Sequence, residues 1–140
     1  MSQADTKPAV QPKPLNSLVP YIHVADADGA SRFYQKAFAA REVARMPDAS
    51  GDKLAHCHLY LNGGSLMMSD CFPEVGIPHQ QPAGFTLTLM VEDIDAWFKR
   101  AVDAGCEVTA PVETMFWGDR YGELRDPFGV RWAMNEGAKG

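Results

Sequence analysis

Three of the four histidines in this chain of 140 residues have the spacing that chemistry at a shared site requires. His56 and His58 are two residues apart in a segment that alternates in polarity, so both imidazoles point to one face of the predicted strand. His23 lies in an earlier strand-like segment and can approach from across the sheet. Imidazole exchanges hydrogen bonds and protons near neutral pH and binds transition metals. Three roles are open for these imidazoles. They could be hydrogen-bonding groups in a hydrated pocket, a catalytic acid or base, or ligands of a relocated metal site that includes Asp70 or Glu123.

The register of one hairpin predicts the neighbours of these histidines. Asn62-Gly63 is the strongest short signal for a two-residue hairpin turn. Such a turn sets three pairs of residues opposite one another: Leu61 with Gly64, Leu59 with Leu66, and His58 with Met67. His56, His58 and Met67 then share the face that the apolar core does not use.

A second strand, predicted over residues 85–91, has the same two-sided character. Its apolar residues, Phe85, Leu87, Leu89 and Val91, are expected under a helix, which turns Thr86, Thr88 and Met90 to the other face. A few polar groups between apolar walls are typical of a ligand pocket. The candidate ligand-binding residues on this face and its rim are Tyr21, His23, His56, His58, Met67, Thr86, Thr88, Trp117, Arg120 and Arg131.

Some of these side chains have a plain structural interpretation as well. Trp132 alternates with core positions and is predicted to be buried, whereas Trp117 follows a loop and suits a pocket rim. Arg120 could form a local ion pair with Asp119 or bind an anionic ligand group, and for Arg131 the ligand is favoured. Cys57 has the parity of the apolar face and is predicted to be an inert buried thiol.

The strands that position these residues belong to an internal repeat. A strand, an acidic turn and an amphipathic helix occur near residue 21 and again about 67 residues later. Each half is predicted to be β-α-β-β-β, so the fold class is α+β, with paired βαβββ modules forming a curved mixed sheet that has a concave ligand face. The expected organisation is a flexible tail over 1–16 and one domain over 17–136, with module one at 18–70, a linker at 71–84 and module two at 85–136.

Composition excludes several classes of partner. The net charge is −5, and the longest basic run is Lys99-Arg100, so neither nucleic acid nor an anionic membrane is an expected partner. The first sixteen residues contain no apolar stretch of a secretory signal, and no apolar run reaches transmembrane length. Cys57, Cys71 and Cys106 lack metal-ligand spacing, which favours free thiols in a reducing cytoplasm.

Two segments carry a resemblance to a known family. They are Tyr21–Asp26 followed by Phe33-Tyr34 and Ala37-Phe38, and Phe116–Gly122 followed by Asp126–Trp132. The chain resembles the vicinal oxygen chelate superfamily over residues 18–136, and within it the PhnB-like branch of the glyoxalase/bleomycin resistance/dioxygenase proteins. The resemblance implies the paired-module fold and a homodimer.

The resemblance also bears on metal binding. Catalytic members of the superfamily hold a divalent metal with His and Glu ligands from four strands, and the matching positions here are Val19, Met67, Thr86 and Ala133. None of these is an ordinary ligand for zinc, nickel or iron, and only Thr86 could bind weakly. The resemblance therefore implies that the usual metal site is lost, and neither a metal nor another cofactor is expected.

These residues and the resemblance together favour two functions. The first is a metal-independent small-molecule binding protein of the glyoxalase/bleomycin-resistance type, which holds a drug or metabolite in the cavity of the concave sheet. The alternative is an enzyme of the superfamily (a lyase, isomerase or dioxygenase) that uses a relocated divalent metal or a histidine acid or base. The expected partners are a small-molecule ligand and a second copy of the chain.

Overall fold

The computed structural model describes residues 11–139 and contains two modules of the same design. Residues 1–10 of the predicted flexible tail lie outside this range. Module one consists of β1 (Tyr21–Val24), α1 (Ala27–Phe38), β2 (Arg41–Pro47), β3 (Leu54–Leu61) and β4 (Gly64–Asp70). Module two consists of β5 (Leu87–Met90), α2 (Ile94–Ala104), β6 (Glu107–Thr114), β7 (Arg120–Arg125) and β8 (Arg131–Glu136). A short 3-10 turn, Pro73–Val75, lies in the connection between them.

Each module folds into its own four-stranded mixed sheet. The strand orders are β1-β4-β3-β2 and β5-β8-β7-β6, with the first pair in each sheet parallel and the others antiparallel. The hairpin register predicted from Asn62-Gly63 is confirmed, since His58 lies opposite Met67. The α+β class and the paired βαβββ modules are confirmed as well. The structure shows two sheets, where the sequence predicted one curved sheet.

The two helices begin in the same way, which is the physical basis of the repeat. Asp26 and Asp93 are the N-caps of α1 and α2, and each carboxylate accepts a hydrogen bond from a backbone N–H in the first turn. The last strand of each module supplies a second acceptor. Asp70 accepts from the Ala27 N–H, and Glu136 accepts from the Ile94 N–H. The carboxylates thus satisfy helix donors that would otherwise lack partners and tie each helix to its own sheet.

The core is continuous between the modules. The indole of Trp132 is buried, as predicted, and its ring centroid lies 4.4 Å from that of Phe38 in α1. Cys57 is also buried, as predicted, and all three cysteines are free. Within residues 11–139, neither helix is long and apolar enough to span a membrane.

The predicted strand over residues 85–91 is too long. β5 spans only Leu87–Met90 and pairs with residues of β8, which begins at Arg131. In this register Phe85 falls beside Val130, which precedes β8, so Phe85 has no strand residue opposite it. Phe85, which was expected under the helix, is 40% exposed and follows Gly84, whose φ is +84°. Phe85 belongs to the end of the connecting segment.

Candidate functional site

A large cavity lies along the free edge of β1. Its volume is about 820 Å³, and the connecting segment 76–85 forms the opposite wall. Because β1 pairs only with β4 among residues 11–139, this edge of the strand is open to the connecting segment. The lining residues are mostly apolar: Asn16, Leu18, Val19, Pro20, Tyr21, Ile22, His23, Gly76, Ile77, Pro78, Gln80, Gln81, Pro82, Ala83, Phe85 and Leu87.

Two contacts hold the connecting segment in place. Phe72 and Ile77 exchange backbone hydrogen bonds of 2.7 and 3.0 Å, which close the loop at the beginning of the wall. Farther along, the amide of Gln81 occupies the space that a Cβ would take at Gly129, in the turn before β8. Gly129 also has a φ of +89°, which side chains disfavour. One contact therefore closes the loop on itself, and the other packs the wall against module two.

Tyr21 and two histidines form a row on the face of β1 that is opposite α1. The Tyr21 ring centroid is 5.3 Å from that of His23 and 5.6 Å from that of His56. The Tyr21 hydroxyl lies 2.9 Å from Nδ1 of His56. Burial is the main cause that raises the pKa of Tyr21, so its phenol stays neutral at physiological pH. The predicted juxtaposition of these side chains is present, although only Tyr21 and His23 line the large cavity.

His23 is oriented by a buried serine. Its Nδ1 lies 2.8 Å from Oγ of Ser69, which is directly opposite in the parallel β1–β4 pair. Ser69 Oγ also donates to the backbone oxygen of Asp70 at 2.8 Å. The carboxylate of Asp70 accepts from the backbone N–H groups of Ala27 and Leu54, which fixes this end of β4.

His58 occupies a different environment, beneath the chain's N-terminal segment. It is 1% exposed, and its Nε2 is 2.7 Å from Oγ of Ser65. The same Oγ accepts from the Leu15 N–H, while the Ser65 N–H donates to Oδ1 of Asn16. Desolvation, followed by the nearby His56, lowers the pKa of His58, so the ring is neutral at pH 7. His58 thus contacts the covering segment and not the large cavity.

Met67 lies within the sheet of module one, whereas Thr86 and Thr88 lie at the junction of the modules. Met67 is half-buried opposite both Tyr21 and His58 in the sheet. Thr86 and Thr88 line a second cavity of about 430 Å³ between the β3–β4 turn and β5. Asn62 bridges this junction, since its amide donates to the backbone oxygen of Met90 at 2.9 Å.

The two arginines and Trp117 lie away from both cavities. Arg120 binds Asp95 of α2 through two contacts of 2.7 and 3.0 Å, so the predicted ion pair with Asp119 is wrong. Asp119 instead accepts from the Asn135 side chain, because that residue of β8 pairs beside the start of β7. Arg131 lies 3.4 Å from Glu123 on the surface.

Trp117 is at the tip of the β6–β7 connection. It is 53% exposed and packs edge-to-face on the exposed ring of Phe116. The lining of the cavities found in residues 11–139 does not include it. Ligand contact by Trp117, Arg120 and Arg131 stays a prediction.

The four positions that match the superfamily's metal ligands do not suit a divalent metal. Their side chains are an isopropyl group, a thioether, a hydroxyl and a methyl group, from Val19, Met67, Thr86 and Ala133. Over residues 11–139 the structure also contains no group of three or more His, Cys, Asp or Glu side chains arranged to hold a metal. The donor set therefore does not fit the metal that the fold family implies.

Sequence reasoning missed two parts of the site. Strand alternation puts Ser69 on the same face as Met67, but its role as the partner of His23 depends on the β1–β4 pairing. The sequence predicts only a linker for the connecting segment, whereas its residues Ile77, Pro78 and Gln81 form a cavity wall. Its three prolines were the available signal, because proline stiffens a loop into a defined surface.

Comparison with known proteins assigns the family. The chain is 40% identical to the uncharacterised protein Rv0887c of Mycobacterium tuberculosis, over 96% of this chain and 80% of that protein. It is similar to the structure of PA1353 from Pseudomonas aeruginosa, with 26% identity and a TM-score of 0.71 over 87% of this chain and 98% of the other. It is also similar to the structure of TioX from Micromonospora sp. ML1, with 25% identity and a TM-score of 0.70 over 86% of this chain and 98% of the other. The sequence profile of one superfamily matches residues 15–134. This chain belongs to the glyoxalase/bleomycin resistance protein/dioxygenase superfamily.

Proposed function

We propose that this protein binds a small, largely apolar molecule without the help of a metal, in the cavity between β1 and the connecting segment. The observation that carries the proposal is the cavity itself, whose volume of about 820 Å³ falls within the range typical of ligand pockets. Its walls are aliphatic, aromatic and proline side chains, and Tyr21 and His23 supply polar groups on one side. This distribution favours an apolar or aromatic compound with a polar substituent.

The chemistry of the inherited metal positions supports metal independence. Val19, at one of these positions, is part of the cavity lining, where its isopropyl group adds apolar surface in place of a metal ligand. The two half-buried imidazoles are instead directed to hydroxyl groups: His23 to Ser69, and His56 to Tyr21. Hydrogen bonds of this kind suit recognition of a ligand.

A cavity-filling variant tests the proposal. Ala83 lines the cavity, so Ala83→Trp places an indole in the binding space, whereas Ala49→Trp adds the same group to an exposed turn that lines no cavity. Isothermal titration with a panel of two-ring aromatic compounds is expected to give binding that Ala83→Trp weakens at least tenfold and Ala49→Trp preserves. The proposal fails if no compound binds, if both variants bind alike, or if a bound compound is turned over.

An enzyme that uses a histidine as acid or base is the second candidate. The hydrogen bond between the Tyr21 hydroxyl and His56 favours it, since a phenol and an imidazole in contact can relay a proton. Turnover should then depend on pH and should be lost in His56→Gln with binding retained. If the enzyme uses a relocated metal, protein purified without chelators should contain a stoichiometric amount of that metal. A metal content below about a tenth of an equivalent would rule out this version.

The remaining expectations concern the assembly and the cellular setting. A homodimer is supported by the exposure of Thr88, Met90 and Arg131 on the face of module two opposite α2, which a second chain could cover. Light scattering coupled to size exclusion decides between monomer and dimer.

Assignment to the PhnB-like branch is supported by the segments 116–122 and 126–132. A cytoplasmic location is supported by the three free thiols.

A further inference from the structure

The hydrogen bonds of Ser69 assign the tautomer of His23. A serine hydroxyl has a single proton to donate. Ser69 Oγ lies 2.8 Å from the Asp70 backbone oxygen, which can only accept, so the hydroxyl proton is directed to that oxygen. Nδ1 of His23, also 2.8 Å from Oγ, must then be the donor. The neutral ring of His23 therefore has its proton on Nδ1 and a free lone pair on Nε2.

This arrangement is rigid. Ser69 is 2% exposed, and Asp70 is held in place because its carboxylate accepts hydrogen bonds of 3.0 and 2.7 Å from the backbone N–H groups of Ala27 and Leu54. The acceptor of the Ser69 proton cannot rotate away, so the serine cannot reverse its direction without breaking a buried hydrogen bond. In the described residues 11–139, the hydrogen bonding of the His23 ring is confined to Ser69. Nε2 is left for a ligand.

We infer that His23 selects ligands that have an aromatic O–H or N–H group, which donates a hydrogen bond to Nε2 in the cavity beside β1. This inference rests on the proposed function and names the chemical class of the ligand. The surrounding walls, which include Pro20, Ile77 and Phe85, are apolar and fit the ring of such a compound. A ligand acceptor facing the lone pair of Nε2 would be repelled, so phenols and aromatic N–H heterocycles are preferred over their methylated counterparts.

Nuclear magnetic resonance tests the tautomer without any ligand. In protein labelled with ¹⁵N at histidine, long-range proton–nitrogen correlations at about pH 8.5, where imidazoles are neutral, distinguish a protonated from an unprotonated ring nitrogen. His23 is expected to show a protonated Nδ1 and an unprotonated Nε2. Ser69→Ala should convert His23 to the Nε2–H form that predominates in water, whereas Ser50→Ala, in an exposed turn, should change nothing. A protonated Nε2 in the wild-type protein overturns the inference.

A pair of matched probes tests the ligand class. 2-Naphthol has an O–H donor, and 2-methoxynaphthalene has the same rings without it. The quantity compared is the ratio of the two dissociation constants, which cancels differences in folding between variants. The ratio of ether to phenol is expected to fall about tenfold in His23→Leu, because one hydrogen bond is lost. Ser69→Ala should lower the ratio as well, and Ser50→Ala should not.

The outcomes separate the inference from the proposed function. An unchanged ratio in His23→Leu overturns the inference, and binding of both probes that Ala83→Trp abolishes would leave the proposed function standing. If no compound of the two-ring panel binds, the proposed function fails and the inference fails with it. If other compounds of the panel bind and 2-naphthol does not, only the inference fails. If His23→Leu does not fold, the same ratio of dissociation constants is measured in Ser69→Ala. An unchanged ratio in that variant overturns the inference.

Discussion

The hydroxyl of Tyr34 in α1 donates a hydrogen bond of 2.5 Å to the buried carboxylate of Asp126, which belongs to the other module. The same carboxylate accepts from the indole N–H of Trp132 and from the backbone N–H groups of Phe128 and Val130. With four donors, this carboxylate is satisfied although it is 4% exposed. The contact joins the turn before β8 to the first helix. It holds the two modules in one arrangement.

Removing one hydroxyl from this contact should destabilise the protein. Tyr34→Phe takes away one of the four donors but keeps the ring, so we expect the free energy of unfolding to fall by about 1–3 kcal/mol. Urea denaturation measures the loss. Tyr60→Phe is the matched control, because the Tyr60 hydroxyl donates to the backbone oxygen of Lys13 near the surface. This substitution should lower the free energy of unfolding by less than about 1 kcal/mol. Equal losses in the two variants would contradict a special role for the Tyr34 contact.

Tyr34 also predicts how the free energy of unfolding changes at alkaline pH. Burial, followed by the charge of Asp126, raises the pKa of Tyr34 well above its ordinary value of 10.0. Above about pH 10 the unfolded chain therefore releases this proton while the folded chain keeps it, so the free energy of unfolding decreases as pH rises. Denaturation between about pH 9 and about pH 11 should show a shallower decrease for Tyr34→Phe than for the wild type. Parallel curves would mean that Tyr34 does not contribute.

His58 should make the free energy of unfolding increase with pH in mild acid, the opposite of the effect of Tyr34 in alkali. Desolvation lowers the pKa of His58 below 6.5, so just below that pH the unfolded chain binds a proton at this residue and the folded chain does not. The stability contributed by His58 is present above pH 6.5 and is lost as pH falls toward the folded pKa. Proton resonances of the His58 ring should titrate below 6.5 in the native protein and at about 6.5 in urea. A native midpoint above that of the denatured chain would contradict the burial argument.

Two of the cysteines should be unreactive in the folded protein. Burial raises the pKa of the Cys57 and Cys106 thiols to about 12, and each is at most 6% exposed. At about pH 8 almost no thiolate is available, so alkylation by iodoacetamide should be negligible in hours and rapid in urea. Peptide mapping by mass spectrometry identifies the modified residues. Rapid native labelling of Cys57 would show that its strand opens.

Part of this structure was open to prediction from local patterns. The pairing of His58 with Met67 follows from a two-residue turn, because the register of a hairpin is decided by its loop. The burial of Cys57 and Trp132 follows from strand alternation, since neighbouring side chains point to opposite faces. The failure at Phe85 has the same origin, because alternation predicts faces but not where a neighbouring strand begins.

The sequence by itself determined the elements, their repeat, the hairpin register and the side of each strand that carries imidazoles, because these depend on residues close together in the chain. Only the tertiary structure decided which side chains meet. Arg120 contacts Asp95, Tyr34 contacts Asp126 and Gln81 packs on Gly129 across separations that no local pattern spans. The wall of the cavity and the proton on His23 belong to this second kind of information, since both depend on distant segments that folding brings within a few ångströms.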